Sequence, residues 1–449
     1  MPSTHDPRHL PETGDKILLI NPPVCDTRLH WSQWLQPLGL LKLATYAKHI
    51  EADARLIDAL SHKPDERIPR RRVEILELDE SRVNKWRFGE TNFALTRQLR
   101  ELRKDGWYPD RAYVECLVTF WWEGAAEVAK IVSKIFPKST IYLIGSYGEL
   151  APRHAQEQMG EGVIVASLSR EVQCLPSDLS VCPQTPRFAY ITLGAGYRDP
   201  EAVVAEITSK AEEFKVQSFA FVEHGVADEQ AETYRKVLEL LATHPVKANL
   251  YALGNISPAD MVAHPDLAQL MRRAGYRQIV FADDRGSPLS EAADEALVEA
   301  YRQSASLLQQ AGFPLRTDVL MGSICIGRLG EDLESRAALA THVAHHIGSI
   351  IPWAYQPTID ECPDLRLEDQ NGKLFPLRKR NGRKHRDYLD LLALATILNA
   401  KYREHTFDFL GEGLVPTLFR QSIASRGWDP DPKVKGTLSL PAKPASQKR

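Results

Sequence analysis

Short apolar segments alternate with helical segments along most of this 449-residue chain, and this alternation limits the fold more than any other feature of the sequence. The first apolar run, "KILLINPP", is stopped by two prolines, and "PLGLLKLATYAKHI" then places apolar residues at helical spacing. Further strand-like segments lie at residues 53–60, 110–120, 139–146 and 161–168, and a helical segment lies at 123–136. This order predicts an α/β domain with a parallel, doubly wound sheet over residues 15–180.

Such sheets bind ligands beyond the carboxyl ends of their strands, so the residues at those ends are the first candidates for a binding site. They are Asn21, Pro22, Pro23, Thr119, Phe120, Trp121, Trp122, Gly145, Ser146, Tyr147 and Ser167. Between the second and third strands lies a charged insertion, residues 61–93, which we interpret as a solvent-exposed excursion.

A second alternation begins at Arg187 and contains six strand-like segments separated by helical patterns such as "PEAVVAEITSKAEEF". Six successive strand–helix units predict a barrel or a partial (β/α) barrel over residues 186–360, with its functional face at the carboxyl ends of the strands. That rim contains Gly194, Gly196, Glu223, His224, Gly254, Asn255, Asp283, Asp284, Gly322, Ser323, Gln356 and Pro357. Its ionisable members, Glu223, His224, Asp283 and Asp284, are the catalytic candidates, either for acid–base chemistry or for a divalent metal. A water-filled remnant of an older pocket would show the same residues.

The remaining parts of the chain are simpler. A helical region is predicted over 361–428, with its main helix from about His385 to Lys401, and residues 1–14 and 429–449 are predicted to be disordered. The 56 basic and 59 acidic residues nearly balance, so no overall field favours nucleic acid or an anionic membrane. No segment of 18 apolar residues is present, which predicts neither a transmembrane helix nor a signal peptide and favours the cytoplasm.

The six cysteines form no CxxC pair, which argues against a zinc ribbon or a disulfide framework and favours a reducing compartment. The "HVAHH" run places His342, His345 and His346 on one helix, where solvated histidines are favoured over metal ligands, and no metal site is predicted. The basic run at residues 377–386 lacks interleaved aromatic residues and is interpreted as an exposed loop.

Several segments together resemble the cobalamin-dependent radical S-adenosylmethionine proteins. The segments "PLGLLKLATYAK" and "VTFWWEGAAEVAKIVSKIFPKSTIYLIGSYGELAPRHA" resemble their cobalamin-binding domain, and "RDPEAVVAEI", "DLAQLMRRAGYRQIVFADD", "LLQQAGFPLRTDVLMG" and "WAYQPTIDE" resemble their partial barrel. The resemblance covers about residues 15–400 and implies a Rossmann-like cobalamin-binding domain. It implies cobalamin contacts from Asn21, Pro22, Thr119, Trp121, Trp122, Gly145, Ser146, Tyr147 and Ser167.

The resemblance fails at one place, the loop after the first strand of the predicted barrel. Members of this family carry a CxxxCxxC loop there for a [4Fe-4S] cluster, whereas this chain passes from "ITLG" through "AG" to "YRDPEAVVAEI". Without three thiolates there is no place for the cluster, and S-adenosylmethionine loses the iron that would bind it. A dinucleotide loop is also excluded, because Asp199 stands where the third glycine of G-x-G-x-x-G is needed. Asp199 and Pro200 instead predict a helix start after a tight turn.

Cobalt ligation by the protein has weak support in the sequence. The chain lacks a D-x-H-x-x-G motif, and His30 is the histidine nearest to the predicted site. Two functions remain open. The first is a non-catalytic, cobalamin-binding partner or regulator of a cluster-bearing enzyme. The second is a cobalamin-dependent enzyme without radical chemistry, for example a methyltransferase, that uses the barrel rim.

Overall fold

The computed structural model describes residues 9–27, 36–61, 68–78, 81–194, 196–223, 228–284, 287–326, 328, 330–354, 385–402 and 424–428. Some of the residues for which the sequence made predictions lie outside these ranges, namely His30, His224, Gln356, Pro357, residues 377–386 and the tail 429–449. The described chain divides into two compact units, one up to Ala189 (unit 1) and one from Tyr190 onward (unit 2). Both are mixtures of helices and parallel sheets, which confirms the α/β class.

Unit 1 contains eight strands and six helices among its described residues. The strands are β1 (Lys16–Asn21), β2 (Val24–Thr27), β3 (Asp53–Asp58), β4 (Arg70–Leu78), β5 (Ser81–Phe88), β6 (Arg111–Glu115), β7 (Thr140–Ile144) and β8 (Val163–Val165). The helices are α1 (Leu38–His49), α2 (Asn92–Lys104), α3 (Trp122–Ile135), α4 (Ser146–Leu150), α5 (Pro152–Met159) and α6 (Arg170–Gln173).

Five strands of unit 1 form a parallel sheet in the order β3-β1-β6-β7-β8. Successive side chains of β1 enter different cores: Leu18 packs with residues of α2 and α3, whereas Ile17 and Leu19 pack with residues of α1. Because side chains alternate across a strand, a strand buried on both faces must be apolar throughout, as "KILLIN" nearly is. The sheet is therefore covered by helices on both faces.

The described part of the insertion at residues 61–93 contains two strands; β4 is mostly exposed, as the charge suggested, whereas β5 is partly buried. Strands β4 and β5 form an antiparallel hairpin, and β5 also pairs with β2, which gives a second sheet in the order β2-β5-β4. Lys85 and Arg87 of β5 are buried, and they form ion pairs with Glu123 and Glu127 of α3. Those two carboxylates lie one helical turn apart, so the hairpin is fastened to one face of α3.

Unit 2 contains six described strands, which form a parallel sheet in chain order. The strands are β9 (Phe188–Ile191), β10 (Ser218–Phe221), β11 (Asn249–Leu253), β12 (Tyr276–Val280), β13 (Leu320–Ile326) and β14 (Ile350–Ala354). The helices are α7 (Pro200–Glu213), α8 (Asp228–Thr243), α9 (Pro258–Ala263), α10 (Asp266–Ala274), α11 (Glu291–Gln310), α12 (Leu333–Ile347) and α13 (His385–Tyr402). The helix predicted from about His385 is present as α13. No helix in the described ranges is long and apolar enough to cross a membrane.

Candidate functional site

The strand order of unit 1 creates a switch point at the carboxyl ends of β1 and β6. From β1 the chain continues to β3 on one side, while β6 pairs with the other side of β1. The connections therefore leave these two neighbours in opposite directions, and a crevice opens between them. The residues around this crevice form the candidate site.

A small pocket lies in this crevice. Its volume is about 10 Å³, which is enough for about one water molecule. Its lining residues are Asn21, Pro22, Pro23, Val24, Leu60, Glu115, Cys116, Leu117 and Trp121. Three predicted binding residues, Asn21, Pro22 and Trp121, are thus brought together at the switch point.

Asn21 and Trp121 each use their polar group within the protein. The side-chain amide of Asn21 donates to Asp58 at the end of β3, at 2.7 Å. Trp121 belongs to a short 3-10 helix, Thr119–Trp121, and its indole N–H donates to the buried carboxylate of Asp26 at 2.8 Å. These bonds hold the loops after β1 and β6 against their neighbours, so a ligand would meet preformed walls.

The residues after β7 are also packed against protein. Gly145 has a φ of 94°, and a Cβ on it would lie 2.8 Å from the carbonyl oxygen of Cys116. Glycine is therefore required here because the end of β7 lies close to the backbone of Cys116. This explains the residue without a ligand. Tyr147 is fully buried and its hydroxyl lies 2.7 Å from Nδ1 of His154, while Trp122 meets the same ring edge-on at 5.2 Å.

Glu115, the last residue of β6, was missed by the sequence-based prediction. Its buried carboxyl accepts hydrogen bonds from the backbone N–H groups of Gly39, at 3.0 Å, and Leu40, at 3.4 Å, in the first turn of α1. Burial raises the pKa of this carboxyl to about 7, although the two backbone donors oppose the shift. The available signal was a lone carboxylate inside the otherwise apolar segment "AYVECLV".

Gly39 makes this arrangement possible. A Cβ at position 39 would lie 2.4 Å from Oε1 of Glu115 and 3.0 Å from Leu168, so a larger residue there would displace the carboxyl from its present position. A carboxyl that titrates near neutral pH in the wall of a switch-point crevice is a candidate functional group.

The rim of unit 2 has a different character. Asp284 accepts a hydrogen bond from the backbone N–H of Cys325 and forms an ion pair with Arg336, whose side chain is buried. Arg336 also pairs with Asp294, and its Nε lies 3.6 Å from Glu331. Asp284 is therefore part of a buried network in which three carboxylates share the guanidinium of Arg336.

Glu223 and Asp283 complete the described catalytic candidates of this rim. The Glu223 carboxylate, at the end of β10, accepts a hydrogen bond from the backbone N–H of Leu193 after β9, and both Glu223 and Asp283 are half-buried. Asp283 directly precedes Asp284 in the chain. Glu223 is therefore bound to the loop after β9, and Asp283 lies next to the buried network of Arg336.

The loop after β9 is a closed turn. Arg198 donates from Nη1 to the carbonyl of Thr192 at 2.8 Å and from Nη2 to Glu206 at 2.7 Å. Lys210 binds the other oxygen of Glu206, and all three charged side chains are buried. Pro200 begins α7 as predicted, and Asp199 occupies the N-cap position without a side-chain capping bond.

The histidines of α12 lie inside unit 2. His342 is buried, His345 meets the ring of Tyr402 at 5.5 Å, and burial together with the neighbouring histidines lowers the pKa of His346 to about 4. Across the described ranges no three His, Cys, Asp or Glu side chains are grouped so that they would hold a metal ion.

Comparison with known proteins adds little. An N-terminal ketoreductase from the macrolactin assembly line is 10% identical over 77% of this chain and 80% of its own, with a TM-score of 0.20. An isomerase from Streptomyces coelicolor A3(2) is 13% identical over 70% of this chain and 63% of its own, also with a TM-score of 0.20. No protein-family model and no curated protein matches the sequence. Scores this low support neither a shared fold nor a shared function.

Proposed function

We propose that this chain binds a corrinoid at the switch point of unit 1 and acts as a non-catalytic partner of a cluster-bearing enzyme. The observation that carries the corrinoid part is the strand order β3-β1-β6-β7-β8, because sheets of this order bind ligands at the switch point. The six parallel strands of unit 2 follow each other in chain order, as a partial (β/α) barrel of the family that the sequence resembles would require.

The residues at the edge suit a corrinoid in part. The peripheral amides of a corrinoid donate and accept hydrogen bonds, and such a group would approach the crevice at Leu117, which is part-buried in its wall. A buried nucleotide tail beside Gly145 does not fit the described residues, because Cys116 and Tyr147 fill that space. The proposed corrinoid therefore rests on the outer edge of the sheet. When bound, it would supply a cobalt centre able to carry a methyl group.

The proposed loss of radical chemistry is supported by the turn after β9. Arg198 closes that turn with hydrogen bonds to the carbonyl of Thr192 and to Glu206. The space beside the described backbone of this turn is therefore filled by the Arg198 side chain.

The alternative, a non-radical transferase that uses Glu223, His224, Asp283 and Asp284, has less support. Asp284 is buried, and its carboxylate is already bound by Arg336 and by the backbone N–H of Cys325, so it is not positioned to meet a substrate. If the rim is nevertheless catalytic, Glu223→Gln should lower the turnover of the host reaction by about 100-fold or more.

Titration with hydroxocobalamin, followed by absorbance, tests the corrinoid proposal. Saturable binding is expected for the wild type, and Leu117→Arg should weaken it because the new side chain covers the crevice. Leu253→Arg, at the end of β11 in unit 2, is the matched control and should bind like the wild type. A flat titration of the wild type would contradict the proposal.

Anaerobic reconstitution with iron and sulfide tests the non-catalytic part. We expect no charge-transfer absorbance and no formation of 5′-deoxyadenosine from S-adenosylmethionine. Recovery of about four irons per chain together with that absorbance would show that the chain holds a cluster after all.

A further inference from the structure

Helix α2 has two faces of opposite character. Its inner face buries Leu95 and Leu99 in the core of unit 1. Its outer face carries Phe93, which is 79% exposed, and the exposed cations Arg97, Arg100 and Lys104. These four residues are spaced by four, three and four positions, so they form one stripe along the helix, which we call the α2 basic face.

The α2 basic face is a fixed surface with a shallow groove. Thr91 caps the helix by accepting a hydrogen bond from the backbone N–H of Ala94 at 3.2 Å, directly beside Phe93. The groove has a volume of about 220 Å³ and is lined by Phe93, Thr96, Arg97, Arg100, Glu101 and Lys104. An aromatic ring at one end and the aliphatic stems of the cations give it apolar walls.

The charge of this face is only partly balanced within the described residues. Arg97 lies 3.7 Å from Glu101, and both side chains are 64% exposed, so their attraction is weak. Arg100 and Lys104 make no ion pair within the described ranges. The whole chain has a formal net charge of −3, so this stripe is a local excess of positive charge that suits an anionic partner.

A protein segment fits this face better than a nucleic acid does. The groove contains one aromatic ring, that of Phe93, and this is not the series of stacking platforms on which single strands bind. The three cations span about 10 Å along the helix, a length that matches two turns of a partner helix. An apolar side chain beside Phe93, flanked by carboxylates, would satisfy both the groove and the charges.

We propose that the α2 basic face docks an acidic, amphipathic segment of a protein partner, with Phe93 as the apolar anchor. The inference rests on the partner role proposed above and names the chemistry of that partner. Its failure is separable from failure of the corrinoid proposal, because changes on α2 should leave the hydroxocobalamin titration unchanged.

Fluorescence anisotropy with a synthetic peptide tests this proposal. The probe is a labelled helix with leucines on one face flanked by glutamates, and its comparison is a peptide of the same composition in scrambled order. We expect the ordered peptide to bind at least about tenfold more tightly than the scrambled peptide. Arg97→Glu combined with Arg100→Glu should weaken its binding by about tenfold or more, or about 1.4 kcal/mol, because like charges would then face each other.

Phe93→Ala separates specific docking from simple charge attraction. It should weaken binding of the ordered peptide by about threefold or more and leave binding of the scrambled peptide unchanged. Lys236→Glu combined with Arg273→Glu, on exposed cations of α8 and α10, is the matched control and should bind like the wild type. Equal binding of both peptides, no effect of Phe93→Ala, or tighter binding of a single-stranded oligothymidine would overturn the proposal.

Discussion

The buried carboxylates at the carboxyl edges of the two sheets have different partners. At the edge of unit 1, Glu115 is held by two backbone N–H groups and has a pKa near neutrality. At the edge of unit 2, Asp284 is paired with the buried guanidinium of Arg336. The first carboxylate gives up stability whenever it ionises, whereas the second is an integral part of its core.

This difference indicates where function is to be sought. The buried carboxylates of the Arg336 network have a cation beside them within unit 2. The Glu115 carboxyl makes no ion pair within the described residues, and its two backbone donors do not prevent burial from raising its pKa, so its ionisation is costly. Such local costs are expected at functional sites, which favours the switch point over the rim of unit 2.

The largest expected effect is the loss of the Arg336 network. Arg336→Ala leaves Asp284 and Asp294 buried without their cation, and we expect the free energy of unfolding to fall by about 3 to 5 kcal/mol. Urea denaturation measures this change, with Arg302→Ala on the exposed face of α11 as the control. A loss below about 1 kcal/mol would show that this edge is not compensated as described.

A smaller, pH-dependent effect is expected at Glu115. Its pKa in the folded protein is about 7 against 4.5 in the unfolded chain, so the unfolded chain loses its proton first. The stability that the protonated carboxyl supplies is therefore complete below pH 4.5 and is lost as the pH rises towards 7, by about 3 kcal/mol.

The Glu115→Gln variant has no proton to lose at this position. The difference between its free energy of unfolding and that of the wild type should therefore grow, in favour of the variant, between pH 5 and pH 8. Urea denaturation of both proteins at both pH values measures this difference. The pair of values at pH 5 is the control. A constant difference across this range would mean that Glu115 does not titrate there and would remove the contrast between the two edges.

Gly39→Ala should cost about 1 to 3 kcal/mol, because the new methyl group occupies the position of the Glu115 carboxyl. The double variant with Glu115→Ala provides the check, since removing the carboxyl should relieve most of the added cost. If both costs simply add, the close approach of these two residues does not govern the packing of α1.

The smallest effect is expected at Glu223. Glu223→Gln keeps an oxygen able to accept from the backbone N–H of Leu193, so the free energy of unfolding should change by less than about 1 kcal/mol. Thermal or urea unfolding measures this. A larger loss would place Glu223 among the essential parts of the unit 2 edge.

The sequence was sufficient for the features that depend on local pattern. Residues 16–23, 53–60 and 139–146 each contain a strand of the parallel sheet, because a short apolar run between helical segments has few other solutions. The α/β class followed from that order, as did the helix start at Pro200.

The features that the sequence did not reveal depend on distant partners. Lys85 and Arg87 look like surface residues until Glu123 and Glu127, almost forty positions later, are seen beside them. Glu115 likewise acquires its character from the first turn of α1, 76 positions earlier. Local periodicity carries no information about such pairings, so the hairpin and the principal candidate residue emerged only from the structure.

The strand order of unit 1 also has a consequence for synthesis on the ribosome. As the chain emerges from its N-terminus, β1 first meets β3, and β6 then joins the opposite side of β1. Strands β7 and β8 extend the sheet outward in the order in which they are made. Growth of the sheet thus reverses direction at β1, and the crevice is completed when β6 docks, before the first strand of unit 2 has been translated. A nascent chain that ends within α6 would already possess the whole binding edge.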